Sequence, residues 1–216
     1  MTSYFNGTLA FGSTVLTSAQ NSIDVFVAKY VPSTNTWPWA TRGGGSHFDF
    51  GFGIAVRGSN VYVVSTIGNN AANANAVLFA GAAPAVALHG MGIISGSDLV
   101  LVKYVDNGTS ATLAWTPAAG GTDTALAVAV SRAAVYATGY LTNTAANASG
   151  VVLGGTGTTP GTVAQAGASP ISSRDLLVAP YTNNGPTATS IPPLHQQHHH
   201  SPISLQAIFD RHVLPY

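Results

Sequence analysis

Apolar residues in this chain come in short alternating or continuous runs, broken every few positions by Gly, Asn, Ser and Pro. That pattern predicts β-strands joined by turns rather than long amphipathic helices. The runs themselves recur. DVFVAKY at 24–30 returns as DLVLVKY at 98–104 and as DLLVAPY at 175–181, at offsets of 74 and then 77 residues. Between these anchors, IAVRGSNVYVVSTIGNNAANAN at 54–75 aligns without a gap on VAVSRAAVYATGYLTNTAANAS at 128–149. The three extra residues therefore fall late in the second copy. Each full copy predicts four strands: DVFVAKY, a segment with Trp37 and Trp39, GIAV ending at Val56, and VYVVS from Val61. In the second copy they centre on Tyr104, Trp115, Val130 and Tyr136. An Asn/Ala-rich insertion follows the fourth strand and ends in an apolar triplet, VLF at 77–79 and VVL at 151–153, which predicts a further short strand or hairpin.

The chain divides accordingly into 1–23, a remnant of a preceding unit; 24–97 and 98–174, two repeats with their insertions; 175–189, the start of a third; and 190–216, a Pro/His/Gln-rich tail. A four-stranded antiparallel meander that is apolar on both faces cannot cover itself, so neighbouring units must supply the cover. The series GTLAFGSTVLTSAQNSIDVFVAKY, an aromatic strand, GGG, GFGIAV and NVYVVS resembles the bacterial seven-bladed β-propeller repeat, SBBP, over residues 1–189, roughly two and a half copies. The resemblance implies an all-β fold of consecutive four-stranded propeller-like blades. The array is expected to be incomplete and open, because closing a propeller takes at least about four blades. It also implies a structural or binding scaffold belonging to a large exported or cell-surface protein, and it brings no catalytic residue with it. Two features depart from the pattern. The insertion is longer than the usual link between blades, and Pro180 replaces Lys29 and Lys103, which removes a ladder donor and predicts a sheet edge.

The third copy follows the second through NNGPTAT at 183–189, against DNGTSAT at 106–112. Where an aromatic strand is due, SIPPLHQQHHHSPISLQAIFDRHVLPY appears instead. A change of composition in mid-strand is what a reading-frame shift produces, and that is the expectation; a genuine linker or tail is the alternative. YFNGT at 4–8 resembles the end of a blade, which predicts a start inside a longer array.

Charge narrows the function classes. Charged residues make up 6%, balanced at seven of each sign, and the basic ones are only Lys29, Lys103 and five scattered arginines. No basic face for nucleic acid follows from such a set. The chain has no Cys, so it has neither a disulfide framework nor a thiolate metal site, and Met1 is not followed by the basic region of a signal peptide. Residues 77–94 form an uncharged run of 18. Pro84, His89 and the polar counterpart GGTGTTPGTVAQAG in the next copy make it a loop or strand rather than a membrane span.

Candidate chemistry is sparse. Imidazoles at His195, His198, His199 and His200 have a spacing that can converge on a divalent metal, yet neighbouring prolines and the lack of a nearby carboxylate favour an inert tail. Five of the seven Asp residues fill two repeated places: Asp24, Asp98 and Asp175 before the first strand, and Asp49 and Asp123 before the third. Recurrence favours carboxylates that accept backbone N–H bonds over a calcium site or catalysis. Asp106 lies in a DNG turn, and His47 beside Asp49 is answered by Gly121 in the next copy. Trp37, Trp39, Trp115, Tyr30, Tyr62 and Tyr104 are expected to pack between sheets, with sugar stacking as the alternative. With no Glu and no nucleophile, phosphate or zinc motif, no catalytic, cofactor-binding or metal residue is assigned. The expectation is a non-enzymatic scaffold without cofactor that binds glycan or protein through its loops and can self-associate through open edges. A piece of a propeller enzyme, lyase or glycosidase, and a degenerate reading frame without function are the alternatives.

Overall fold

The computed structural model describes residues 1–69, 77–79, 96–116, 118–120, 123–132, 134–142, 151–153, 161–163, 174–183 and 188–190. The strands run in chain order as β1 (Thr2–Asn6), β2 (Thr8–Phe11), β3 (Thr14–Thr17), β4 (Ile23–Val31), β5 (Thr36–Gly44), β6 (Asp49–Arg57), β7 (Asn60–Asn69), β8 (Leu78–Phe79) and β9 (Gly96–Asp106). They continue as β10 (Ala111–Trp115), β11 (Ala118–Gly120), β12 (Asp123–Ser131), β13 (Ala134–Thr142), β14 (Val151–Leu153), β15 (Gly161–Val163), β16 (Arg174–Asn183) and β17 (Ala188–Ser190). The fold is all-β, as expected. A first sheet has the order β1-β4-β5-β8, and a second runs β6-β7-β9-β11-β14-β15 with β10 also on β9. The third is β12-β13-β16-β17, β2 and β3 form a hairpin, and among the described residues no sheet closes on itself.

The sheets are out of phase with the sequence copies. The second and third sheets each join the last two strands of one copy to the first two of the next: β6 and β7 pair onward to β9 and β10, and β12 and β13 to β16 and β17. The register repeats every time: Asp24 stands opposite Phe5, Asp98 opposite Ile67 and Asp175 opposite Leu141. A bulge recurs as well, between Gly51 and Gly53 on β6 and between Ala125 and Ala127 on β12. A one-residue slip would turn every apolar side chain to the wrong face, so a recurring hydrophobic pattern enforces a recurring register.

The apolar triplets of the insertions form β8 and β14, and both reach backwards. β8 follows β7 of the second sheet but pairs with β5 of the first, and β14 follows β13 of the third but pairs with β11 of the second. A Cβ on Gly43 would lie 2.1 Å from the Phe79 ring, so glycine lets β8 seat its aromatic on β5.

Alternation along a strand sends successive side chains to opposite faces, and the second sheet is buried on both. Val61, Val63, Val100, Val102 and Tyr104 pack against Val25, Val27 and Trp39 of the first sheet. Tyr62, Val64, Leu99, Leu101 and Trp115 pack against Val135, Ala137, Leu177 and Ala179 of the third. That double burial explains the near-continuous apolar run of DLVLVKYV. Each side chain of this size contributes on the order of 1.5–3 kcal/mol when fully buried. The first strands of neighbouring sheets approach most closely: a Cβ on Gly53 would lie 3.0 Å from Ala127 Cα. Thr66 Oγ1 accepts the Ala125 N–H across the same joint at 2.8 Å.

Residues 1–23 supply β1 to the first sheet and the β2-β3 hairpin over it, where Phe11, Leu9 and Leu16 cover Phe5, Phe26 and Ala28. The third sheet shows the opposite condition, because Leu176, which occupies the place of Leu99 one copy later, is 51% exposed. Pro180 stands opposite Tyr136 on β16, just short of Tyr181, Thr182 and Asn183, the only β16 residues that β17 pairs among the described residues. No helix among the described residues is long and apolar enough to cross a membrane. Of the uncharged run 77–94, residues 80–94 lie outside the described residues, as does 191–216 with its histidines.

Candidate functional site

Charged and amide groups meet where neighbouring sheets join. On the first sheet, Lys29 and Trp39 stand opposite each other on β4 and β5, and both reach to the second sheet. Lys29 Nζ donates to Asp106 Oδ2 at 2.7 Å, and Trp39 Nε1 donates to Oδ1 at 3.0 Å. The Gly108 N–H donates to the same Oδ1 at 2.9 Å. Partial burial pushes the Asp106 carboxyl up, but the Lys29 and Trp39 hydrogen bonds, the Gly108 amide and the Lys29 charge hold it below the ordinary carboxylate range. Reading Asp106 as turn chemistry alone missed the link between sheets. The recurrence of Lys29 as Lys103 was the signal that pointed to it.

One joint further on, Lys103 and Trp115 again stand opposite each other, on β9 and β10. The place of Asp106 is taken by Asn183, 77 residues later. Lys103 Nζ donates to Asn183 Oδ1 at 2.9 Å, and Asn183 Nδ2 donates to Tyr62 Oη at 2.9 Å. A carboxylate accepts at both oxygens, whereas an amide accepts at one atom and donates at the other. Trp115 Nε1 is buried and has no hydrogen-bond partner among the described residues. Burial pushes the Lys103 ammonium down and the Tyr62 phenol up, the latter against the pull of the nearby Arg57 charge.

Beside this network a cleft of about 590 Å³ opens, lined by Arg57, Gly58, Asn60, Tyr62, Arg132 and Asn183. Arg57 and Gly58 come from the turn between β6 and β7, and Arg132 from the matching turn between β12 and β13. Both arginines are exposed, and neither forms an ion pair among the described residues. The sequence reading did not single out these residues, because the turns belong to different copies and only stacking brings them together.

The repeated carboxylates sit elsewhere. Asp49 is buried, with Oδ2 accepting the Gly45 N–H at 2.7 Å and Oδ1 the Gly68 N–H at 3.0 Å. Asp24 Oδ2 accepts from the Ala19 N–H at 3.0 Å and from the Arg42 guanidinium. A Cβ on Gly44 would lie 2.7 Å from Asp49 Oδ2 and 2.9 Å from Asp24 Cγ, so both carboxyls press on one stretch of backbone. Burial pushes the Asp49 carboxyl up to about 7; the Gly45 and Gly68 amides work against the rise and the Asp24 charge adds to it. His47 shares no hydrogen bond with Asp49 among the described residues: its Nδ1 takes the Phe48 N–H at 2.7 Å. Asp98 is fully buried at its repeated place, while the side chains of Asp123 and Asp175 lie outside the described residues. No three His, Asp or Glu side chains among the described residues are grouped so as to hold a metal ion.

The aromatic residues divide. Trp39, Trp115, Tyr62 and Tyr104 are buried between sheets, whereas Tyr30 is 42% exposed and packs on half-buried Trp37 with ring centroids 4.8 Å apart. Comparison with protein-family models, with curated proteins and with solved structures gives no match for this chain.

Proposed function

We propose that this chain is a non-catalytic scaffold built of β-propeller-like blades, part of an exported or cell-surface protein, that binds glycan through the turns lining the joints between its sheets. The observation that carries the reading is the recurrence of one register and one bulge in successive sheets stacked face to face, with their first strands closest together. Blades around a hub have that arrangement. The described carboxylates at the repeated places are buried and face the interior, which suits structure better than turnover. The open cleft between the second and third sheets, with two arginines and two asparagines in its lining, offers polar groups to a ligand. Self-association belongs to the same reading, since Leu176 is half exposed on the third sheet where its counterpart Leu99 is buried.

The test is a glycan array probed with the full chain, followed by incubation of each retained sugar with the protein and analysis of products. Retention of a defined glycan class, intact after prolonged incubation, supports the scaffold. Release of cleaved product would replace it with an enzyme, and no retention of any glycan would remove the glycan-binding role.

A further inference from the structure

Two joints built on one plan differ in a single charge. At the first, the Asp106 carboxylate accepts from both Lys29 Nζ and Trp39 Nε1. At the second, Asn183 supplies one acceptor to Lys103 and turns its donor to Tyr62, and Trp115 Nε1 is left without a partner among the described residues. A buried indole N–H without an acceptor is costly, and native structures keep such groups rare. Trp115 packs on Tyr62, whose ring centroid is 6.0 Å away, and Tyr62 lines the cleft.

The turns contribute a second, independent observation. Gly58, in the turn between β6 and β7, has φ +57°, a left-handed conformation that glycine adopts without strain. Its counterpart 74 residues later is Arg132, held at φ +52°. An arginine held there is strained where glycine is not, and backbone strain of this kind concentrates at ligand sites. Arg132 lines the cleft, and Arg57 faces it from the other turn.

From the lost carboxylate, the two exposed arginines and the left-handed turn at Arg132, we infer that the cleft between the second and third sheets binds the carboxylate of an acidic sugar, a uronate. The inference rests on the glycan-binding reading and gives it a chemical class. Arg57 and Arg132 pair with the planar anion through charge-assisted hydrogen bonds. Asn60 and Asn183 offer amide groups to the sugar hydroxyls, and a volume of about 590 Å³ accommodates a pyranose ring with its substituents.

The experiment titrates the full chain with sodium glucuronate, methyl glucoside, sodium acetate and sodium sulfate at matched ionic strength. Heat and the indole N–H resonance of Trp115, assigned with Trp115→Phe, are the readouts. Glucuronate is expected to bind at least about tenfold more tightly than each of the other three and to move the Trp115 resonance. Asn183→Asp, which restores an internal carboxylate, and Arg132→Gly, which relieves the strained turn, are each expected to weaken glucuronate at least about tenfold. Arg132→Gly leaves the unfolding midpoint unchanged or higher. Equal binding of glucuronate and glucoside would overturn the carboxylate while leaving glycan binding standing. Acetate or sulfate as tight as glucuronate would overturn the sugar. Undiminished binding by both variants, or no binding of glucuronate at all, would overturn the site, and the array result then decides the broader reading separately.

Discussion

Leu99 and Leu176 follow the same repeated aspartate one copy apart, yet the first is 0% exposed and the second 51%. Truncating each to alanine therefore measures what stacking of the third sheet on the second contributes. Leu99 lies in the core between those sheets with Leu101, Tyr62 and Val64, where Leu→Ala removes transfer free energy and leaves a cavity that rigid strands on both sides cannot fill. The expected loss is about 3 kcal/mol. At Leu176 half the side chain is already in water, no cavity forms, and the loss should stay below about 1 kcal/mol. Urea unfolding followed by tryptophan fluorescence reads both. With a slope of about 2 kcal/mol per molar, the Leu99→Ala midpoint falls by about 1.5 M and that of Leu176→Ala by less than about 0.5 M. Repeating the Leu176→Ala titration at a tenfold different protein concentration keeps self-association separate. Equal midpoints for the two variants, independent of concentration, would refute the stacking described here.

Three further outcomes follow from the geometry. Asp106→Asn copies the second joint into the first, strips Trp39 of its acceptor, and should lower stability by about 1–3 kcal/mol in the same urea assay. The Asp49 carboxyl, with an ordinary value of 3.8 and a folded value of about 7, binds its proton more tightly in the native state. Its stabilising effect is therefore complete below pH 3.8 and is lost as pH rises to about 7, by a total on the order of 4 kcal/mol. Asp49→Asn should match the native chain below pH 3.8 and exceed it increasingly up to pH 8, and midpoints with the same pH slope in both proteins would contradict this. Gly139→Ala would put a Cβ 1.9 Å from the Thr124 carbonyl oxygen, and thermal unfolding should show destabilisation of more than about 2 kcal/mol.

The four main strands of each copy were legible because apolar alternation and the 74-residue offset both survive in the letters. The triplets VLF and VVL were readable as strands, but not the sheet they join, because an edge pairing of two or three residues leaves no pattern of its own. The phase of the sheets was hidden for a related reason. A periodic sequence has no preferred starting point, and the long pairings across the insertions, β7 with β9 and β13 with β16, reveal which strands belong together. Of the site, Lys103, Asn183 and Tyr62 were visible as repeat positions. Arg57 and Arg132 were not, since they belong to non-equivalent turn positions that meet only through the stacking of sheets.

The offset between copy and sheet bears on how such an array changes length. Removing residues 24–97 would join Ile23 to Asp98 and put β9 in the place of β4 beside β1, with Asp98 as the same registering aspartate that β4 carries at Asp24. Gain or loss of one whole period thus exchanges one partner strand for an equivalent one and leaves no half-built sheet behind. Loss of one hairpin instead of a whole period would strand the remaining hairpin without its mates. Recombination between copies is therefore buffered by the fold itself, and the number of sheets can drift while the joint between any two of them is remade each time from the same residues.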